Sequence, residues 1–312
     1  KDYDIVKTLF ETKQPDQIGT AARGRKVGQY NKLVVKHVLK VDSSALEKYW
    51  QRAAGQEEEG GGRTNVKSHT EEASEEFRRV YQKSSMPLLE NELLMLRTPE
   101  DCSTRDDGIA QETDERECNE VHEALCKGMN DFKGANESHP KYKKLSFGQG
   151  FYLCDDVAKC DLYSPGPVQE MPGCDLRFMT VVRAYMGKAL QVQVGAVVLE
   201  QPADSTKKPK RKKFFHWRQP LDGTDKVIKD GGGLDGRGHP KEDPFFDWNS
   251  VQVMCTQDDP EFSKGWEEKD EKGRSNTLPY RFREFYVPFA DPQVETPHVA
   301  LQYIMAYTRE QE

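Results

Sequence analysis

One stretch constrains this chain more than any other: Phe147 to Tyr163, reading Phe-Gly-Gln-Gly-Phe-Tyr-Leu-Cys-Asp-Asp-Val-Ala-Lys-Cys-Asp-Leu-Tyr. Gly148 and Gly150 flank Gln149, so the backbone there can turn tightly or lie close against a ligand. Phe151-Tyr152-Leu153 predicts a short buried strand that carries a tyrosine. Val157, Cys160 and Tyr163, at three-residue steps, predict one face of a helix. A turn, a strand and a helix that bring Tyr152 and Tyr163 toward one place suit the floor of a site for a flat aromatic ligand. A strand end packed on a helix is the plainer alternative for the same residues.

The rest of the chain bounds what that stretch can belong to. With 312 residues it can bury a sizeable core, as one large domain or two small ones. Hydrophobic residues make up 35% and charged residues 32%, and mean hydropathy is −0.86, which predicts a soluble chain with a large loop fraction. No apolar run reaches the roughly 20 residues needed to cross a bilayer, so no membrane partner is expected. The chain opens at Lys1 rather than a methionine, as a piece of a longer protein does. Seven scattered cysteines, an odd number without a Cys-x-x-Cys pair, indicate neither a zinc site nor a disulfide framework. An intracellular location, cytoplasmic or nuclear, is the expectation that follows.

The net charge of −7 argues against general nucleic-acid affinity, but the charge is unevenly placed. Lys207, Lys208, Lys210, Arg211, Lys212 and Lys213 form a dense basic run, and Glu57-Glu58-Glu59 precedes three glycines. Both runs predict exposed loops.

Along the chain, Tyr3, Val6 and Phe10 mark a helical face that packs into a core. Gln14 to Arg25 reads as a loop and Leu33 to Val41 as a long strand. Asp42-Ser43-Ser44 predicts the cap of a helix running from Ala45 through Tyr49 and Trp50. Residues 51–72, rich in Gly and Glu, predict disorder. A helix over Glu75 to Lys83 follows, then a buried strand, Leu93 to Leu96, ending at Arg97-Thr98-Pro99. Residues 101–119 read as a polar insertion, and Val121, Leu125, Cys126 and Met129 as a helix. Strands are predicted over Arg177 to Tyr185, closing at Gly187-Lys188, over residues 189–199, near Phe246 to Val251, over Arg283 to Phe289 and over Val299 to Tyr307. Residues 201–244 between them read as loop.

The central stretch resembles the core motif of the PARP-type ADP-ribosyltransferases, Gly-x-Gly-x-Tyr-Phe-Ala-Asp with a Lys-Ser pair and a second Tyr. Tyr152 and Tyr163 stand where that family sandwiches the nicotinamide ring of NAD, and Asp155 and Lys159 also match. Cys160 replaces a serine that hydrogen-bonds the carboxamide, and a thiol is a weak donor and acceptor. The N-terminal pattern Tyr3, Val6, Phe10, Thr12, Leu46 and Tyr49 is similar to the family's as well. The resemblance implies an α+β ADP-ribosyltransferase-like fold of two packed, mostly antiparallel sheets flanked by helices. It implies one domain over residues 1–312, with long loop insertions near 51–74, 100–119 and 201–245. With no zinc finger or helical regulatory region in the chain, the likeness is to the mono-ADP-ribosylating branch.

The same resemblance exposes what the site lacks. Leu94-Met95-Leu96-Arg97-Thr98 falls on the family's His-Gly-Thr motif, with Leu96 at the histidine that binds the adenosine ribose and Arg97 at the glycine that binds the carboxamide. Leucine offers no hydrogen bond, leaving a polar ligand group unpaired at roughly 1–3 kcal/mol. The Arg97 side chain either blocks the nicotinamide pocket or turns outward. His298 falls on the glutamate that steadies the oxocarbenium-like transition state, and such a loss costs about 100- to 1,000-fold in rate. Glu295 substitutes for it only if a bulge restores the face.

Three functions follow as expectations. The first is a catalytically degenerate ADP-ribosyltransferase module, a pseudoenzyme acting through structure or protein partners, with NAD binding weak or lost. The second is an active mono-ADP-ribosyltransferase that uses NAD. The third is nucleic-acid or import-receptor binding through residues 207–213, with Phe214, Phe215 and Trp217 placed to stack on bases.

Overall fold

The alternation of the apolar residues sorts the strands into two layers. A computed structural model describes residues 1–11, 13, 15–20, 28–60, 63–98, 150–162, 164, 176–200, 210–218, 225–228, 249–255, 282–288 and 298–311. In chain order these hold helix α1 (Asp2–Phe10), strand β1 (Lys32–Lys40), helices α2 (Ser44–Gly60) and α3 (Glu71–Tyr81), and strands β2 (Glu92–Arg97) and β3 (Gly150–Leu153). Helix α4 (Val157–Leu162) follows, then β4 (Arg177–Tyr185), β5 (Ala189–Glu200), β6 (Lys210–Arg218), β7 (Asp225–Ile228), β8 (Ser250–Met254), β9 (Glu284–Pro288) and β10 (Val299–Glu310).

One sheet has the order β1-β10-β4-β2 and is antiparallel throughout. The other has the order β3-β9-β8-β5-β6-β7, antiparallel except for the parallel pair β5 and β8. Among the described residues the chain is thus a mixed fold of two sheets, one antiparallel and one mostly so, with few helices.

β2 explains the layering. Both its faces are covered, which is why it reads as an unbroken apolar run, Leu93-Leu94-Met95-Leu96, rather than an alternating one. Leu93 and Met95 join Val182, Ala184, Leu301 and Ile304 from the same sheet against Phe151, Leu153, Phe285 and Val287 of the other, forming the core between the sheets. Leu94 and Leu96 point the other way, to Ile5, Val6, Leu9, Phe77, Val157 and Cys160 from α1, α3 and α4. A third cluster, Leu46, Tyr49, Ala53, Tyr185 and Ala300, seats α2.

The turn after β4 needs glycine. Gly187 has φ +47°, and a Cβ there would stand 2.2 Å from Asn249 Oδ1, the atom that accepts the Lys188 N–H at 3.0 Å.

Several expectations change. Tyr3 is exposed rather than core; Ile5, Val6 and Leu9 are the residues α1 buries. Residues 51–60 are not disordered and Glu57-Glu58-Glu59 is not a loop, because Glu, Gln and Ala favour a helix. Ala53 is buried there, and Glu57 accepts the Asn91 N–H at 2.6 Å. Residues 63–70 are also tied in: Asn65 bonds both Ala189 N and O, and Val66 joins the core between the sheets. Within 201–245, expected as loop, Lys210–Arg218 and Asp225–Ile228 are strands. Arg211, Lys212, Lys213 and Lys210 therefore lie in β6, not in a loop. The insertion over 100–119 and the helix near Val121 lie outside the described residues, as does Thr12.

Candidate functional site

The motif positions meet where the two sheets are joined. The Leu96 N–H donates to Cys154 O and the Cys154 N–H to Leu96 O, both at 2.8 Å, an isolated antiparallel bridge that links the end of β2 to the end of β3. Tyr152, two residues before Cys154, is thereby about 7 Å along the strand from the bridge. Gly150 opens β3 opposite Pro288.

At this junction Leu96 is fully buried on the helix side. Arg97 points to the opposite side, between the sheets, and is only 7% exposed. Its guanidinium carbon lies 5.4 Å from the Phe151 ring centre, and Nη1 donates to Tyr152 O at 3.5 Å. Of the two orientations open to Arg97, the inward one is adopted. The Arg97 carbonyl accepts the Thr180 hydroxyl at 2.9 Å, so its backbone oxygen is engaged too. Tyr152 is half-buried and meets Tyr286 edge-on, with ring centres 5.2 Å apart.

Thr98 and Cys160 are brought together: the Thr98 hydroxyl donates to Cys160 O and sits 3.3 Å from Sγ. Burial, with Cys154 beside it, pushes the Cys160 thiol well above its ordinary pKa, so it stays protonated. It packs with Leu96, Cys154 and Val157 on the helix side.

His298 is not brought to this junction. Its carbonyl accepts the Tyr185 N–H at 2.9 Å, whereas Leu96 is opposite Val181, four residues along β4. Four residues of strand and two interstrand spacings separate the two by about 16 Å. The residue is half-buried, and its imidazole Nδ1, itself buried, has no hydrogen-bond partner. Burial, with Arg52 nearby, lowers its pKa to about 4, so the ring is neutral near pH 7. Gly148, Tyr163, Glu295, Lys207 and Lys208 lie outside the described residues.

The charged residues around α4 are committed to one another. Asp155 accepts the His69 N–H at 2.9 Å and Arg283 Nη1 at 3.1 Å. Lys159 pairs with Glu284 at 2.6 Å and donates to Arg283 O. Asp161, fully buried, accepts the hydroxyls of Tyr30 (2.6 Å) and Tyr307 (2.7 Å) and Arg309 Nε (2.9 Å). Sequence reasoning matched Asp155 and Lys159 by position but missed His69, Asp161 and Arg309. Their partners stand 86 to 148 positions away, which no local spacing signals.

The arrangement can hold two half-sheets together at one point and present Tyr152 beside it. Among the described residues, each carboxylate on α4 or β9 near the junction has a cationic or hydroxyl partner, and His298 is a distant neutral imidazole. No His, Cys, Asp or Glu group among them could hold a metal ion. Among the described residues no helix is long and apolar enough to cross a membrane. No family model matches the chain, and no curated protein matches it in sequence.

Proposed function

We propose that the chain is a catalytically degenerate ADP-ribosyltransferase-like module that acts as a structural or protein-interaction domain, with NAD binding weak or lost. The observation that carries this reading is Arg97. Its side chain lies against Phe151 and the Tyr152 carbonyl, beside the tyrosine that would stack a nicotinamide. A ring entering there would have to displace a buried guanidinium, which is costly unless the ligand re-pairs it. Leu96 in turn offers no donor or acceptor side chain to a ribose. A neutral His298 supplies no negative charge to an oxocarbenium, and a lost electrostatic partner of that kind is worth about 100-fold or more in rate.

The test is the thermal stability of the purified chain with and without millimolar NAD. Ligand at 100 times its dissociation constant stabilises by about 2.7 kcal/mol, a visible shift. The native chain is expected to show none. A clear shift that Tyr152→Ala abolishes, or label transferred from NAD above a Tyr152→Ala control, would overturn the reading in favour of an active transferase.

A further inference from the structure

The four-stranded sheet ends on one side at β1, which pairs with β10 and with no further strand among the described residues. β2, at the other side, is buried along its whole length and bridged to β3 at Leu96. β1 is not covered in this way: Lys32, Lys36, His37, Leu39 and Lys40 are exposed. Leu39, at 57%, is one of the two large apolar residues exposed among those described. It lies on the face of the strand that carries Val41 into the core between the sheets, and that face is open at Leu39. An edge strand presents a row of main-chain donors and acceptors to any strand that can lie beside it.

The sequence of β1 limits what that strand can be. Lys-Leu-Val-Val-Lys-His-Val-Leu-Lys holds three lysines and a histidine and no acid, in a chain of net charge −7. Lysines on an edge discourage pairing with neutral or basic strands. A second copy is disfavoured too. Two-fold pairing centred on Lys36 sets Lys36 against Lys36 and Lys32 against Lys40, and like charges directly opposite destabilise. A strand bearing carboxylates meets the reverse. Within the fold the lysines already attract acids: Lys36 holds Glu310 at 2.9 Å and Lys40 holds Asp2 at 3.7 Å. Both pairs lie at the surface, where such bonds are weak enough for an incoming carboxylate to replace. We infer that β1 is the docking edge for an extended acidic segment of a partner protein, which adds to the four-stranded sheet as a fifth strand. Main-chain hydrogen bonds supply the affinity in this mode of binding. Alternate side chains supply the specificity, here carboxylates for the lysines and an apolar residue for Leu39. The inference rests on the interaction role proposed above, but the two fail separately: NAD reports on Tyr152 and the peptide on β1.

The probe is a fluorescein-labelled peptide of alternating Glu and Val, about eight residues long. It is titrated with the full chain and read by fluorescence anisotropy, with hydrogen exchange followed alongside. The peptide is expected to bind and to slow exchange in β1 while leaving β4 unchanged. Changing Lys32, Lys36 and Lys40 together to Gln should weaken it about tenfold, the worth of three cross-strand ion pairs. Leu39→Ser alone, at an exposed site that the core does not use, should weaken it about threefold. A peptide of alternating Glu and Pro has the same charge but cannot pair along a sheet edge, and should leave exchange in β1 as it was. Several results would overturn the inference. They are no binding of the Glu-Val peptide at millimolar concentration, equal binding of a Glu-Pro or Lys-Val peptide, and unchanged exchange in β1 on binding. Protection of β1 that rises with the concentration of the chain alone would assign the edge to a second copy instead.

Discussion

His298 shows how burial changes what a residue can do. In water an imidazole titrates near pH 6.5, but in the fold it stays neutral down to about pH 4, because burial and Arg52 both disfavour its charge. Between those two values the unfolded chain binds a proton that the folded chain refuses. Stability from this residue is therefore intact above pH 6.5, falls as the pH drops, and is fully lost near pH 4. The loss at pH 5 relative to neutral pH is about 2 kcal/mol. Urea denaturation at both pH values should show it in the native chain, with a smaller acid loss in His298→Gln. Equal acid loss in the two proteins would mean the ring is already charged or exposed. Arg183 behaves differently because it is paired: with Glu92 it forms an ion pair in which both side chains are buried, and Met86 O and Pro87 O accept two more of its N–H groups. A buried cation persists when it is both paired and hydrogen-bonded.

At the scale of an element, helix α4 has six residues, too few to be stable by itself. It is held at both ends. Asp156 Oδ1 accepts the Ala158 N–H at 2.8 Å at its start, and Asp161 near its end binds Tyr30, Tyr307 and Arg309. Arg309 also lies 4.5 Å from the Tyr30 ring centre, closing the group on itself. Burial and the Asp161 carboxylate raise the Tyr307 hydroxyl pKa, so it remains a donor to Asp161 at every physiological pH. Asp161→Asn keeps the shape but removes the charge that Arg309 faces, and should cost roughly 2 kcal/mol. Chemical denaturation would read this as a lowered midpoint with an unchanged slope. A cost under about 0.5 kcal/mol would show that α4 is held by its apolar face alone. The helix α2 teaches a related point. Its Glu-rich end resembles a disordered tract in composition, but the same residues are good helix formers once Tyr49 and Ala53 anchor the turn before them.

For the whole molecule, the two sheets share a core, and β10 and β4 run through the middle of one of them. β10 has a strand on each side, β1 and β4, and β4 has β10 and β2. Their amides open only when neighbouring strands separate, so hydrogen exchange should find β4 and β10 the slowest and β1, an edge strand with mostly exposed residues, faster. Protection of β1 equal to that of β10 would mean that its outer edge is covered. Much of this architecture was legible in advance. The strands β1, β2, β4, β5, β9 and β10 were marked by runs of β-branched and apolar residues, and the short strand and helix at Tyr152 and Cys160 by their spacing. The site was legible only in part. The motif resemblance brought out Leu96, Arg97, Thr98, Tyr152 and Cys160, which do gather at one junction, but it set His298 beside them, and the strand register does not. By itself the sequence determined what is local: which segments extend, which coil, and which faces are apolar, because periods of 2 and 3.6 residues are written into nearest neighbours. Only the tertiary structure decided the rest, namely the inward turn of Arg97, the neutrality of His298 and the Asp161 cluster. Each depends on groups far apart in the chain, where burial and pairing, not spacing, set the free energy.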